Sequence, residues 1–256
     1  MKLIYLVSGP MGRTPAGEAE MGRRGEFLQR HASPGTDVDI TDVPQGPGSI
    51  ESMFEEYLSI PETARRAYQL EQEGWDGILL GCYGDPGLDA LRELVTIPVV
   101  GAGEATALMA AALGHKFSII TVTESVIAPM EKQIRNIGVG DKLASVRAVD
   151  IPVLDLHKDR EQAIEITIEE GRKAIEQDRA DTLIVGCMSM GFLEIAEAAG
   201  AELGVPFLNP ARVQLKFMEA MIGSGLSHSK RAYMTPPKLA SGKAQSPDDL
   251  FHIKNN

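Results

Sequence analysis

Apolar positions along the chain recur with two different periods, and the switching between those periods predicts the elements. Lys2 to Ser8 is a short apolar run and reads as a first strand. Gly12 to Gly25 reads as a glycine-rich entry loop followed by a helix through about Arg30. Asp37 to Val43 alternates apolar and polar residues as far as Pro44, the pattern of a second strand. The turn Gly46 to Ser52 leads into Met53 to Ile60, and Pro61 falls where a helix to about Glu73 would begin. At a first turn its missing N–H costs nothing, and Gly74 supplies the stop. The apolar run Asp76 to Leu80 then ends in Gly81-Cys82, before a helix at Leu88 to Leu94, a strand at Ile97 to Val100 and a helix at Glu104 to Leu113. Strand and helix alternate throughout, which predicts an α/β fold with parallel, layered sheets.

From Lys116 the pattern begins again. Phe117 to Val122 is a new first strand, Ala128 to Ile137 a helix, Val146 to Ile151 a second strand and Glu161 to Glu176 a long helix. Asp150-Ile151-Pro152 repeats Asp42-Val43-Pro44 at an offset of 108, and Val205-Pro206-Phe207-Leu208 repeats Ile97-Pro98-Val99-Val100 at the same offset. Gly186-Cys187 repeats Gly81-Cys82 at an offset of 105. A period this long is too large for a solenoid unit. It predicts two pseudo-symmetric lobes, each a mostly parallel sheet flanked by helices, facing each other across a cleft. Residues 1–101 with 209–235 form lobe one, and 102–208 form lobe two. Helix Val213 to Ile222 is expected to pack back on the first lobe, and the Pro- and Ser-containing tail 236–256 to be exposed or disordered.

The two cysteines carry the candidate chemistry. Each follows a glycine at the carboxyl end of an apolar strand, where ligands collect in parallel α/β folds, and the chain has no other cysteine. The glycine lets the backbone approach a ligand closely, and the amides of the following loop are expected to lower the thiol pKa from about 8.5. A single buried cysteine is most often a small hydrophobe, but the second occupies the equivalent position of the other lobe. Two thiols placed in this way suit removal of a proton from one face of a carbon and delivery of another to the opposite face. Such chemistry needs no cofactor when an adjacent carbonyl acidifies the C–H. Backbone amides from Tyr83 to Asp85 and from Met188 to Met190 are candidates to hold the enolate oxygen. Tyr83, Met188 and Phe192 are candidate contacts for the substrate's side group. Asp85 orients its loop or bonds a ring N–H, and Thr121, Thr123 and Ser125 bond a ligand or cap the next helix.

Composition narrows the function classes. There are 25 basic and 36 acidic residues, a net charge of -11, and no basic patch interleaved with aromatics, so nucleic acid is not an expected partner. No apolar run approaches the roughly 18 residues of a membrane span, and the first apolar stretch is too short for a secretion signal. The cysteine spacing fits neither a disulfide framework nor a zinc site, which makes a reduced, cytoplasmic setting the expectation. His31, His115, His157, His228 and His252 show no ligand spacing and are taken as surface residues, with no metal expected. Gly101-Ala102-Gly103 lacks the third glycine of a dinucleotide fingerprint, and Gly9 to Thr14 lacks the ending of a phosphate loop.

Several segments together resemble the hydantoin racemase branch of the Asp/Glu/hydantoin racemase superfamily, which includes allantoin racemases. They are Gly46 to Ser52, Cys82 to Leu88, Gly101 to Ala105, Ser145 to Leu156, Gly186-Cys187 and Gly225 to Arg231, within roughly residues 1–235. Two stretches differ from that pattern: Ser8-Gly9-Pro10-Met11 stands where members usually carry Asn-Pro-Asn, and Met188-Ser189-Met190 follows Cys187 where Ala-Gly-Met is common. The resemblance implies a two-lobed fold and cofactor-independent racemisation with Cys82 and Cys187 as the acid/base pair. It also implies substrate contacts from Ser8, Gly9, Pro10, Ile50, Ser189 and Met190, and a homo-oligomer. A 5-substituted hydantoin, allantoin or another acidified carbonyl compound remain as substrates. An amino-acid racemase, a cis–trans isomerase, a decarboxylase and a non-catalytic binding module remain as other readings.

Overall fold

Two four-stranded sheets with the same topology form the frame of the computed structural model, which describes residues 1–250. The first contains β1 (Lys2–Leu6), β2 (Asp37–Thr41), β3 (Gly77–Leu80) and β4 (Val99–Val100) in the order β2-β1-β3-β4. The second contains β5 (Phe117–Thr121), β6 (Leu143–Ala148), β7 (Thr182–Val185) and β8 (Phe207–Leu208) in the order β6-β5-β7-β8. Every pairing is parallel. The helices are α1 (Pro15–His31), α2 (Met53–Gln72), α3 (Leu88–Leu94), α4 (Ala102–Leu113), α5 (Ile127–Ile137), α6 (Arg160–Glu176), α7 (Met188–Phe192), α8 (Ile195–Leu203), α9 (Pro210–Gly223) and α10 (Pro237–Ala240). The expected two-sheet α/β architecture is therefore the one observed.

The central strands β1, β3, β5 and β7 are apolar on both faces, as parallel strands covered by helices must be. In the first sheet alternate residues serve different cores. Ile4, Leu6, Ile78 and Leu80 pack with Ala67, Leu70 and Leu91 on one side. Leu3, Tyr5 and Leu79 face the other side and join one continuous cluster with Ile119, Val185, Phe192 and Leu215. The inner face of lobe one thus shares its core with lobe two. Helix α9 helps to close that core: Gln214 Nε2 donates to the carbonyls of Leu80 at 2.9 Å and Val100 at 2.7 Å, at the ends of β3 and β4.

Several boundaries differ from the sequence reading. Helix α1 begins at Pro15, capped by Thr14 Oγ1, so most of the supposed glycine-rich loop is helical. Pro61 lies inside one continuous α2 rather than at a helix start. The amide it removes would have bonded the Tyr57 carbonyl, and both residues are on the exposed side of the helix, where water serves that carbonyl instead. A capping box starts α2, with Glu55 N donating to Ser52 Oγ at 3.3 Å and Ser52 Oγ donating to Glu55 at 2.9 Å. Strand β6 ends at Ala148, earlier than expected, because Asp150 turns the chain at φ 55°.

The tail is not wholly exposed. Ala244 and Pro247 are buried, Tyr68 Oη donates to the Gln245 carbonyl at 3.1 Å, and Arg65 pairs with Asp248. His228 is likewise half-buried, its ring held against the Val99 backbone at 3.0 and 2.9 Å, and burial lowers its pKa to about 4. His252 lies outside the described residues. No helix among the described residues is long and apolar enough to cross a membrane.

Glycines separate tolerant from intolerant positions. Gly22 sits in the exposed interior of α1 with nothing within 4 Å of an added Cβ, so Gly22→Ala is expected to stabilise the protein by about 1 kcal/mol. At Gly81 an added Cβ would lie 2.5 Å from the Leu6 carbonyl oxygen, and Gly81→Ala is expected to destabilise by about 1–3 kcal/mol. Urea denaturation of the two variants side by side measures both.

Candidate active site

Each Gly-Cys pair is set by contact with a neighbouring strand. Gly81 N donates to the Leu6 carbonyl at 2.8 Å, and Gly186 N donates to that of Ile120 at 2.8 Å. A side chain on Gly81 would strike Leu6 and Val7, and one on Gly186 would lie 2.5 Å from Ile119. The glycines are therefore required for the close approach of β3 to β1 and of β7 to β5, and both also line the cavity. Immediately past them, Cys82 and Cys187 emerge at equivalent places in the two sheets and line the same cavity of about 820 Å³.

The structure brings most of the expected contact residues to this cavity. Ser8, Gly9, Ile50, Tyr83, Gly84, Asp85, Met188 and Ser189 all line it. Pro10, Thr123 and Met190 do not. Met190 is fully buried in the core, and Thr123 Oγ1 bonds Ser125 Oγ at 2.9 Å while Val122 and Val126 reach the cavity in its place. Phe192 is also a core residue, packed edge-on against Tyr5 and Phe27.

Asp85 lines the cavity and also orients its loop. It is buried, in a left-handed conformation at φ 54°, and its carboxylate accepts from Gly103 N at 3.0 Å, Glu104 N at 2.7 Å and Gln133 Nε2 at 3.0 Å. It anchors the Cys82 loop on the first turn of α4. Gly101 and Gly103 are small for the same reason, since a Cβ on Gly101 would lie 2.5 Å from Asp85 Cγ and one on Gly103 would lie 2.3 Å from the Tyr83 oxygen. The Gly-Ala-Gly segment is thus the seat of the cysteine loop. Burial raises the Asp85 carboxyl to about 7 against the opposing effect of the two amides.

Both thiols are pushed upward, opposite to the expected lowering. Burial dominates at Cys82, lifting it to about 12, with the Gly84 amide opposing and the charges of Cys187, Asp85 and Glu56 adding. Burial also raises Cys187, against donors from the amides of Met190 and Ser189, the charge of Arg24 and the hydroxyl of Ser189. The loop amides do point at sulfur, but removal from water outweighs them. Those of Gly84, Ser189 and Met190 face the sulfurs, and Asp85 N donates to the Cys82 carbonyl at 3.3 Å.

Other cavity residues carried no motif. Arg24 comes from α1, Glu56 and Tyr57 from α2, Lys132 and Gln133 from α5, and Tyr233 from the segment after α9. Burial raises the Glu56 carboxyl, and Lys132 opposes that shift from the other lobe. For those on α1, α2 and α5 only helical spacing was visible in the sequence, and it does not distinguish a cavity wall from an ordinary surface. The Gly46 to Ser52 segment, by contrast, spans the lobes: Glu51 accepts from the Val153 amide, and its carbonyl accepts from Ser125 Oγ at 2.7 Å. Among the described residues no three His, Cys, Asp or Glu side chains are grouped to hold a metal ion.

Ser8 Oγ, Tyr83 Oη and Gln133 Oε1 are buried without hydrogen-bond partners, and all three residues line the cavity. Tyr5 Oη and Gln214 Oε1, away from the cavity wall, are buried and unpartnered in the same way.

Comparison with known proteins agrees with this geometry. Residues 14–218 match the Asp/Glu/Hydantoin racemase family. The chain is 35% identical to a hydantoin racemase of Pseudomonas sp. (strain NS671) over 204 residues, which are 79% of this chain and 81% of that protein. Among solved structures, allantoin racemase from Klebsiella pneumoniae superposes with a TM-score of 0.85 at 27% identity, covering 93% of this chain and 94% of that one. Allantoin racemase from Pseudomonas fluorescens gives a TM-score of 0.82 at 28% identity, with 93% and 97% covered. The chain belongs to the Asp/Glu/hydantoin racemase family, as a hydantoin racemase-like member.

Proposed function

We propose that the protein is a cofactor-independent racemase of a 5-substituted hydantoin, allantoin or a closely related cyclic carbonyl compound, working by two-base proton transfer between Cys82 and Cys187. The observation that carries this reading is the placement of the two thiols at equivalent strand ends of two like sheets, both on one cavity. The hydantoin and allantoin racemases among its relatives support the substrate class.

In the reaction one cysteine, as thiolate, takes the proton from the ring carbon that bears the substituent. The C–H electron pair moves into the adjacent carbonyl as an enolate, and the other cysteine, as thiol, protonates the opposite face. The first cysteine ends as thiol and the second as thiolate, and the reverse reaction exchanges these roles. Burial that raises a thiol's pKa makes its thiolate a stronger base toward carbon, at the cost of a smaller thiolate fraction near neutral pH.

Two outcomes are expected. In deuterated water, either enantiomer of the substrate should gain deuterium at the stereocentre as optical rotation is lost, and Cys82→Ser and Cys187→Ser should each lower the racemisation rate by about 10²-fold or more. Full racemisation by either single variant would sink the two-base reading. Because both folded-state thiol pKa values are raised, the thiolate fraction is small at neutral pH and grows with pH. The rate constant kcat/KM should therefore climb from about pH 6 to about pH 8.5, approaching tenfold per unit. A flat profile over that range would contradict the buried-thiol picture.

A further inference from the structure

Among the described residues Arg24 is the one arginine on the wall of the cysteine cavity, and it is only 3% exposed. It projects from the middle of α1, where Glu20, one turn earlier, accepts from its Nε at 2.7 Å. Its Nη2 crosses to the other lobe and donates to Ser189 Oγ at 2.9 Å. The guanidinium also lies over the Phe192 ring at 4.8 Å, so packing fixes its plane. Ser189 is one residue past the start of α7, and Arg24 occupies its oxygen as acceptor, which leaves the hydroxyl hydrogen free to point at Cys187 Sγ. The surroundings of Cys82 differ: its sulfur meets the Gly84 amide, the charges of Asp85 and Glu56 act against its ionisation, and Lys132, also on the cavity wall, acts on Glu56.

From this asymmetry we infer that Arg24, acting through Ser189, is a positioning residue that selects which of the two thiols gives up the first proton of the pair, and that it selects Cys187. The inference rests on the two cysteines acting together as proposed above. The two sulfurs are close enough for charge on one to oppose charge on the other, so they titrate as a pair that loses its protons in two steps. Around Cys187 the first step is favoured by the cation of Arg24, the Ser189 hydroxyl and two amides. Around Cys82 it is opposed by two carboxylates.

The other ionisable groups facing this network fit the same polarity. From α1, Glu20 is held ionised by Arg23 and Arg24 against its own burial. It screens the guanidinium on the side away from Ser189, while His157 Nε2 approaches Glu20 from the other lobe at 3.8 Å. From β1, Tyr5 is kept protonated by burial, within electrostatic reach of Arg24 and both cysteines. When the pair has lost one proton, the enzyme is therefore built as one protonation isomer, Cys187 thiolate with Cys82 thiol. Substrate entering from solvent meets its base on the lobe-two side of the cavity.

Alkylation by iodoacetamide at limiting concentration, followed by mass spectrometry of the two cysteine peptides, reads the thiolate directly and needs no substrate. At about pH 7.5 the wild-type protein should label Cys187 ahead of Cys82, although Cys82 is the more exposed of the two. Ser189→Ala should lower the Cys187-to-Cys82 labelling ratio about tenfold, the worth of one hydrogen bond to a charged group, and move the Cys187 labelling curve to higher pH. Arg24→Met should do the same, and Arg24→Lys should recover part of the preference. Ser189→Ala leaves the Arg24–Glu20 pair intact, so it keeps the test open if Arg24→Met fails to fold. Preferential labelling of Cys82 in the wild-type protein, or a Cys187 pH curve unchanged by Ser189→Ala, would overturn the inference. Normal labelling order in a protein that racemises no hydantoin or allantoin would instead count against the proposed activity and leave the Arg24 assignment standing.

Discussion

The contact on which the site depends is the close approach of β3 to β1 and of β7 to β5. At Gly81 and Gly186 a side chain would collide with the central strand, so the backbone passes the end of each sheet and delivers the next residue beyond it. That next residue is cysteine in both sheets. Because the two sheets share one topology and part of one core, two local constraints place both sulfurs on a single cavity. Like positions in like folds thus bring the two sulfurs to one space.

The surroundings then distinguish two chemically identical side chains. Burial raises both thiols, and it is the larger effect at each. What differs is the charge beyond the first hydrogen bonds. Asp85, which anchors the Cys82 loop on α4, brings a carboxylate to that side as a consequence of holding the loop. Arg24, reaching across from α1 to Ser189, brings a cation to the other. The pseudo-symmetry of the fold is thus broken by side chains that the repeat does not contain. One of them comes from lobe one to act on the cysteine of lobe two.

Much of this was legible in the sequence because strand ends, glycines and cysteines leave local signals. Alternating period, the repeated Pro landmarks and the Gly-Cys pairs were sufficient for the α/β class, the two like sheets and the cysteine pair. The errors were at places where distant packing overrides local preference. Pro61 reads as a helix start, yet α2 continues through it because its Ser59, Thr63, Ala67 and Leu70 face is buried. The tail reads as polar and loose, yet Arg65 and Tyr68 of α2 hold it against the body of the protein.

The sequence by itself determined the frame and singled out the two cysteines, since strand period, glycine spacing and cysteine count are properties of neighbours along the chain. Only the tertiary structure decided the sign of the thiol pKa shifts, because loop amides argue for lowering and burial, which no local pattern reports, argues for raising. It also decided that Gly101 to Gly103 seat Asp85 and that Arg24 lines the cavity. Arg24 and Ser189 are 165 positions apart and meet only when α1 packs against α7. An electrostatic interaction of that range along the chain depends on distance and burial in the folded protein, which are quantities that sequence spacing does not carry.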